Sequence, residues 1–189
     1  MVSAEKVYSM LENATLWETA KLCHKLLDAA EIPHAVIGGV AVCLHGYQRN
    51  TIDLDLLIRA DDAKSVRHVL SDAGFEWNQE QAEFRTSSGV PVQFLVAGDR
   101  AGTSSEVRLP DPADSRAMIE LENLPVVSLS KLIESKLACG QGDLRRTHKD
   151  FADVMELIIK HQLSRSFERF IHKSLRQTFR QLVLNSRGQ

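Results

Sequence analysis

Hydrophobic and polar positions recur with two different periods along the chain. From Leu16 to Ala30, apolar residues fall at Leu16, Ala20, Leu22, Cys23, Leu26, Leu27 and Ala30, which predicts an amphipathic helix ending before Pro33. His34 to Ile37 reads as a short buried strand, Gly38-Gly39 as its turn, and Val40 to His45 as a helix. Thr51 to Arg59 alternates carboxylates with aliphatic residues and predicts a strand. Asp61 and Asp62 can cap a helix running to about Ala73, which Gly74 ends. Glu83 to Thr86 and Val90 to Val96 flank Ser87-Ser88-Gly89, a hairpin signal. Residues 97 to 124 lack sustained periodicity and predict a long loop with at most one short strand, of the kind that often carries function.

Helical spacing returns in the C-terminal part. Ser128 can cap a helix from Leu129 to Ala138 that stops around Gly140-Gln-Gly142, and a second helix covers Thr147 to His161. Phe167, Phe170, Ile171, Leu175, Phe179, Leu182 and Val183 predict a last helix, with Arg169, Lys173, Arg176 and Arg180 as a basic stripe beside them. The chain thus reads as an α/β body over residues 1–124 and a helical region over residues 125–189 that packs on it.

Charge refines this picture. Residues 160–189 hold seven Lys or Arg and one Glu, leaving −8 for the rest of a chain whose net charge is −2. Such a basic stretch attracts nucleic acid or an acidic partner, or forms a solvated face. No apolar run is long enough to span a bilayer, and Met1 to Glu12 lacks the pattern of an export signal, so a cytoplasmic protein is expected. Cys23, Cys43 and Cys139, odd in number and set in apolar contexts, read as buried reduced thiols.

The chemistry concentrates between Gly38 and Ile58. Asp53 and Asp55 share one face of their strand, while Ile52, Leu54 and Leu56 take the other. Two converging carboxylates suit a hard divalent cation such as Mg2+ or Mn2+, whose other ligands are phosphate oxygens and water. Gly38 and Gly39 would let the backbone turn with positive φ and approach a phosphate closely, beside the N-terminal amides of the next helix.

A glycine pair, thirteen residues, and Asp-x-Asp in a hydrophobic strand together resemble the nucleotidyltransferase superfamily that includes polymerase-beta-like enzymes. Arg49-Asn-Thr51-Ile-Asp53-Leu-Asp55, Lys136, and Arg146-Thr-His-Lys149-Asp150-Phe-Ala-Asp153 look like the AbiEii-type toxins and their bacterial relatives. The resemblance implies a nucleotidyltransferase fold: a small, mixed, mostly antiparallel sheet from His34 to Val96, backed by helices. It also implies transfer of a nucleoside monophosphate from a nucleoside triphosphate to a hydroxyl of RNA, protein or a small molecule, with Mg2+ or Mn2+ as cofactor and RNA or a cognate antitoxin among the partners. Asp53 and Asp55 would hold the metal; Gly38, Gly39, Arg49, Thr51 and Lys136 would meet the nucleotide. Lys136 and Asp150 would complete the catalytic set, with Asp153 as the alternative to Asp150.

One position departs from the superfamily pattern. Its members add a third carboxylate from a neighbouring strand, and here Gln93 stands in that place. An amide oxygen can ligate a metal weakly or hold a water, but it cannot take a proton as a general base. The alternative to an enzyme is therefore a degenerate relative that binds nucleotide or protein without catalysis. Arg145, Arg146 and Lys149 read as a solvated helix start or a substrate clamp, Tyr47 as local packing or a base contact, and no Cys/His spacing suggests zinc.

Overall fold

The computed structural model describes residues 3–103 and 105–186. Met1 and Val2, from the stretch read for an export signal, and Arg187 of the basic stretch lie outside them. The chain runs α1 (Ala4–Met10), α2 (Ala14–Ala29), β1 (His34–Ile37), α3 (Gly38–Leu44), β2 (Leu54–Ile58), α4 (Ala63–Asp72), β3 (Glu76–Asn78), β4 (Glu83–Arg85) and β5 (Pro91–Val96). It continues with β6 (Met118–Leu121), β7 (Leu124–Val127), α5 (Leu129–Gly142), α6 (Leu144–Lys160) and α7 (Arg176–Asn185). The strands form one mixed sheet in the order β3-β4-β5-β2-β1-β7-β6. β1 pairs antiparallel with β2, and β2 pairs parallel with β5. The α/β nucleotidyltransferase-like architecture expected from the sequence is present.

β1 and β2 lie in the middle of the sheet, and almost every residue in them is buried, which is why their sequences are near-continuous aliphatic runs. Helix α2 covers them with Leu16, Ala20, Cys23 and Leu27. Two elements depart from expectation. First, the stretch 97–124, read as a long loop with at most one short strand, holds β6 and leads into β7 at Leu124; the two strands pair as a hairpin, so the sheet extends past Val96, and the 124/125 boundary drawn from the sequence falls inside β7. Its turn residues Glu122 and Asn123 both have positive φ, the two-residue geometry that matches the natural twist of a hairpin. Second, the predicted last helix is broken. Residues 165–170 and 173–175 form short 3₁₀ turns, and α7 begins only at Arg176. Between the turns Ile171 is extended and buried, and the His172 amide donates to Glu134 Oε1 of α5 at 2.6 Å. Capture of that amide by a buried carboxylate outweighs the local helical period.

Helices α5 and α6 pack closely because Gly140 has no side chain. A Cβ there would lie 2.5 Å from Phe151 Cε1. The loop after β5 is likewise drawn onto α5, since a Cβ on Gly102 would stand 2.3 Å from the Ala138 carbonyl oxygen. In an ordinary helix, replacing glycine by alanine stabilises by up to about 1 kcal/mol. Here the sign reverses. Gly140→Ala should lower stability by about 1–3 kcal/mol in urea unfolding, whereas a more stable variant would show that α5 and α6 do not meet at this point.

Candidate active site

The paired register places the site at one end of the central strands. Ile37 of β1 faces Asp55 of β2, which in turn faces Gln93 of β5. Gly38 follows directly with φ +71°, a conformation that residues with a Cβ rarely adopt. A Cβ at Gly38 would sit 1.9 Å from Asp55 Oδ2, so its absence is what lets the carboxylate lie against the backbone. At Gly39 a Cβ would come within 2.7 Å of both Arg49 Nη2 and Thr51 Oγ1. Each glycine therefore makes room for a different part of the site.

Asp53 lies just ahead of β2, and Thr51 Oγ1 donates to its Oδ1 at 2.6 Å. Asn13, between α1 and α2, holds this segment by donating to the Thr51 carbonyl at 2.7 Å. Asp55 accepts no hydrogen bond among the described residues and borders a cavity of about 260 Å3, together with Gly38, Gln93, Arg100, Lys136 and Arg146. Burial, and then the neighbouring Asp53, push the Asp55 carboxyl up from 3.8 to about 6, against the opposing pull of Lys136, Arg146 and Lys149.

Across the cavity, α5 and α6 carry a buried cluster of charge. Lys136 Nζ donates to Asp150 Oδ1 at 2.9 Å and lies 2.7 Å from Asp153 Oδ2. Arg146 Nε reaches Asp150 Oδ2 at 3.2 Å, and Arg49 Nε lies 3.3 Å from Asp153 Oδ1. Asp150 is fully buried and is shared between Lys136 and Arg146; Asp153 is shared between Lys136 and Arg49. Lys136, Asp150 and Asp153 are thus brought together beside Asp55, with both aspartates serving as counter-ions to the cations.

Arg146, itself half-exposed, joins this cluster through Asp150, while Arg145 is almost fully exposed and bonds Asp143 at the start of α6. Lys149 and His148 are exposed. His45 is occupied by the Val127 carbonyl at 2.8 Å, and Tyr47 packs against the core. Sequence reasoning missed Arg100, which comes from the aperiodic loop, and Asn13. It also missed Tyr8, a buried α1 residue whose phenol is pushed above its usual range mainly by burial, with Cys43 and Asp53 acting in the same sense. Nothing in the local sequence marks these three, since the fold alone places them there.

The donor set suits a hard divalent cation. Two carboxylates supply oxygen, and no group of three His, Cys, Asp or Glu residues able to cage an ion occurs among the described residues, so phosphate and water would supply the remaining ligands. A larger cavity, of about 560 Å3, lies at the opposite end of β1 beside His24, Asp28, His34 and Glu120. Its two imidazoles bond each other at 2.9 Å through His24 Nδ1 and His34 Nε2, and His34 Nδ1 also bonds the Ile32 carbonyl, so both nitrogens of His34 are engaged.

The profile of the aminoglycoside-2''-adenylyltransferase family matches residues 21–157, most of the chain and every charged residue of this site. The chain belongs to that family. Three solved structures share its fold. ANT(2'')-Ia, determined in complex with adenylyl-2''-tobramycin, is 18% identical, with 87% of this chain and 98% of that one covered and a TM-score of 0.55. A putative nucleotidyltransferase from Thermotoga maritima is 16% identical over 72% and 92% of the two chains, with a TM-score of 0.54. A nucleotidyltransferase-like antigen from Paracoccidioides brasiliensis is 19% identical over 91% and 88%, with a TM-score of 0.56. No curated protein is similar enough in sequence to count as a relative. The superfamily expected from the glycine pair and Asp53-x-Asp55 is therefore the right one, and the family within it is the aminoglycoside-2''-adenylyltransferase family. None of these matches is an AbiEii-type toxin.

Two predictions follow from the charges. Folded, metal-free protein keeps a proton on Asp55 between pH 3.8 and about 6 that the unfolded chain has released. Stability should therefore fall as pH rises through that window, with the full penalty present above it. Asp55→Asn should remove this slope and stabilise the metal-free protein at pH 7.5 by up to about 3 kcal/mol; the same slope in the variant would show that Asp55 is not its source. Lys136→Ala strips two buried carboxylates of their shared cation and should cost about 3–5 kcal/mol. Lys131, half-exposed and paired with Glu134, should cost less than about 1 kcal/mol on the same change, and equal losses would contradict the buried cluster.

Proposed function

We propose that the protein is a divalent-metal-dependent nucleotidyltransferase that moves a nucleoside monophosphate from a nucleoside triphosphate to a hydroxyl of a small molecule. The observation that carries this reading is the placement of Asp55, two residues from Asp53, across one cavity from Lys136 and Arg146. When bound to the two aspartates, Mg2+ or Mn2+ would neutralise charge that develops on the transferred phosphoryl group. Lys136 and Arg146 would face the triphosphate from the other side, held in place by Asp150 and Asp153. Arg49 and Thr51 brace the entrance, Thr51 by fixing Asp53.

Gln93 cannot take the proton of the attacking hydroxyl, and Asp150 and Asp153 are committed to cations. Rate enhancement would then rest on alignment and charge neutralisation. The family to which the chain belongs, and the adenylyl-2''-tobramycin bound to ANT(2'')-Ia, make ATP and aminoglycosides the first donor and acceptors to try. A supply of nucleoside triphosphate and Mg2+ would place this activity in the cytoplasm; among the described residues no helix is long and apolar enough to cross a membrane. An AbiEii-like role would direct transfer to RNA or protein and call for a cognate antitoxin. The second reading, a nucleotide- or protein-binding module without catalysis, is favoured by Gln93 alone.

One assay separates these readings. Purified protein is incubated with each labelled nucleoside triphosphate, Mg2+ or Mn2+, a panel of aminoglycosides, and total RNA. The expected result is metal-dependent label on a small-molecule acceptor, reduced at least about 100-fold in Asp53→Asn and Asp55→Asn. Label on RNA would favour the AbiEii-like role. Nucleotide binding without transfer to any acceptor would favour the module, and equal activity in wild type and both variants would remove the aspartates from the site.

A further inference from the structure

Asp55, Gln93 and Glu83 form a row across three adjacent strands. Asp55 is in register with Gln93 on β5, and the antiparallel pairing of Phe84 with Val92 and Arg85 with Pro91 carries the same row on to Glu83 of β4. Residues in register on neighbouring strands share a face of the sheet, so the three side chains stand side by side. Glu83 is 3% exposed, an unusual degree of burial for a glutamate. Its Oε2 accepts from Gln93 Nε2 at 3.0 Å. Its Oε1 lies 2.7 Å from Arg85 Nη2 without the alignment of a hydrogen bond, and Nη2 donates to Gln81 Oε1 at 2.6 Å.

We propose that Glu83 is a positioning residue that fixes the Gln93 amide with its carbonyl oxygen turned toward Asp55, so that a neutral oxygen ligand replaces the third carboxylate of the metal site. A carboxylate cannot donate a proton that it does not hold, so the amide group it faces must present NH2 and not oxygen. With Nε2 committed to the β4 side, the carbonyl oxygen is left for the β2 side, where Asp55 lines the cavity with it. Gln93 Oε1 accepts no hydrogen bond among the described residues. Two facing oxygens repel unless a cation or a hydroxyl stands between them, which is the place the metal and the attacking hydroxyl would occupy. Glu83 itself does not border the cavity and acts through Gln93 alone.

This inference rests on the metal-dependent reading above, and its test keeps the two apart. Mn2+ affinity in the presence of ATP is measured by calorimetry on the full chain for wild type, Asp53→Asn, Glu83→Gln, Glu83→Met and the exchange pair Glu83→Gln/Gln93→Glu. Partners that orient a metal ligand are typically worth 10–100-fold in affinity. Glu83→Met, which cannot accept from the amide, should lose at least about tenfold, while Glu83→Gln, whose carbonyl still can, should stay within about threefold of wild type. In the exchange pair the carboxylate moves beside Asp55 and receives the hydrogen bond of the new amide, so affinity should rise above wild type. If Glu83→Met fails to fold, the exchange pair decides. A pair that binds Mn2+ no tighter than wild type, or a folded Glu83→Met of wild-type affinity, would overturn the role of Glu83 provided that Asp53→Asn has lost binding. Unchanged affinity in Asp53→Asn would overturn the metal reading, and this proposal with it.

Discussion

Four carboxylates meet four cations, Lys136, Arg146, Arg49 and Arg100, at the ends of β1 and β2, and the uneven sharing of those cations organises the site. Asp150 and Asp153 are almost fully buried, and a buried carboxylate without a partner is among the costliest defects a fold can carry. Lys136 sits between them, with Arg146 and Arg49 on their outer oxygens. That leaves Asp53 and Asp55 with only a hydroxyl and a share of the same positive field. Burial first, and the neighbouring Asp53 second, raise the pKa of Asp55, a cost that a proton relieves partly and a divalent cation would relieve more fully.

Burying Lys136, Asp150 and Asp153 requires the C-terminal helices to be held tightly. Gly140 lets α6 approach α5, Gly102 lets the long loop lie on α5, and that loop supplies Ala101 and Leu109 as apolar walls of the cavity. Glu134, two residues before Lys136 and so about 200° away around α5, uses its carboxylate to hold the chain at His172 before α7. The same helix thus aims a cation at the site through one face and anchors the C-terminal segment through another.

Much of this was legible from residue patterns. α2, β1, β2, α4 and the β4–β5 hairpin follow from period and turn chemistry, and Asp53, Asp55 and Gln93 fall where alternation and strand pairing put them. The β6–β7 hairpin escaped notice because Met118 to Val127 does not alternate cleanly, although Asn123 before an aliphatic run was a usable turn signal. The broken C-terminal helix could not be read locally, since its cause is Glu134, 38 residues earlier. Arg100, Asn13 and Tyr8 enter the site through tertiary packing alone. The family branch was also hidden, because a glycine pair and Asp-x-Asp encode the phosphate and metal geometry common to the superfamily and say nothing of the acceptor.

The proposed transfer depends on a metal ion held by the strand carboxylates, facing Lys136 and Arg146. The most direct measurement is an anomalous difference map from crystals soaked with Mn2+ and a non-hydrolysable ATP analogue. The expected result is a single peak against Asp53 and Asp55, with the triphosphate between that ion and Lys136 and Arg146. No peak at these carboxylates, or a triphosphate bound away from the cations, would contradict it.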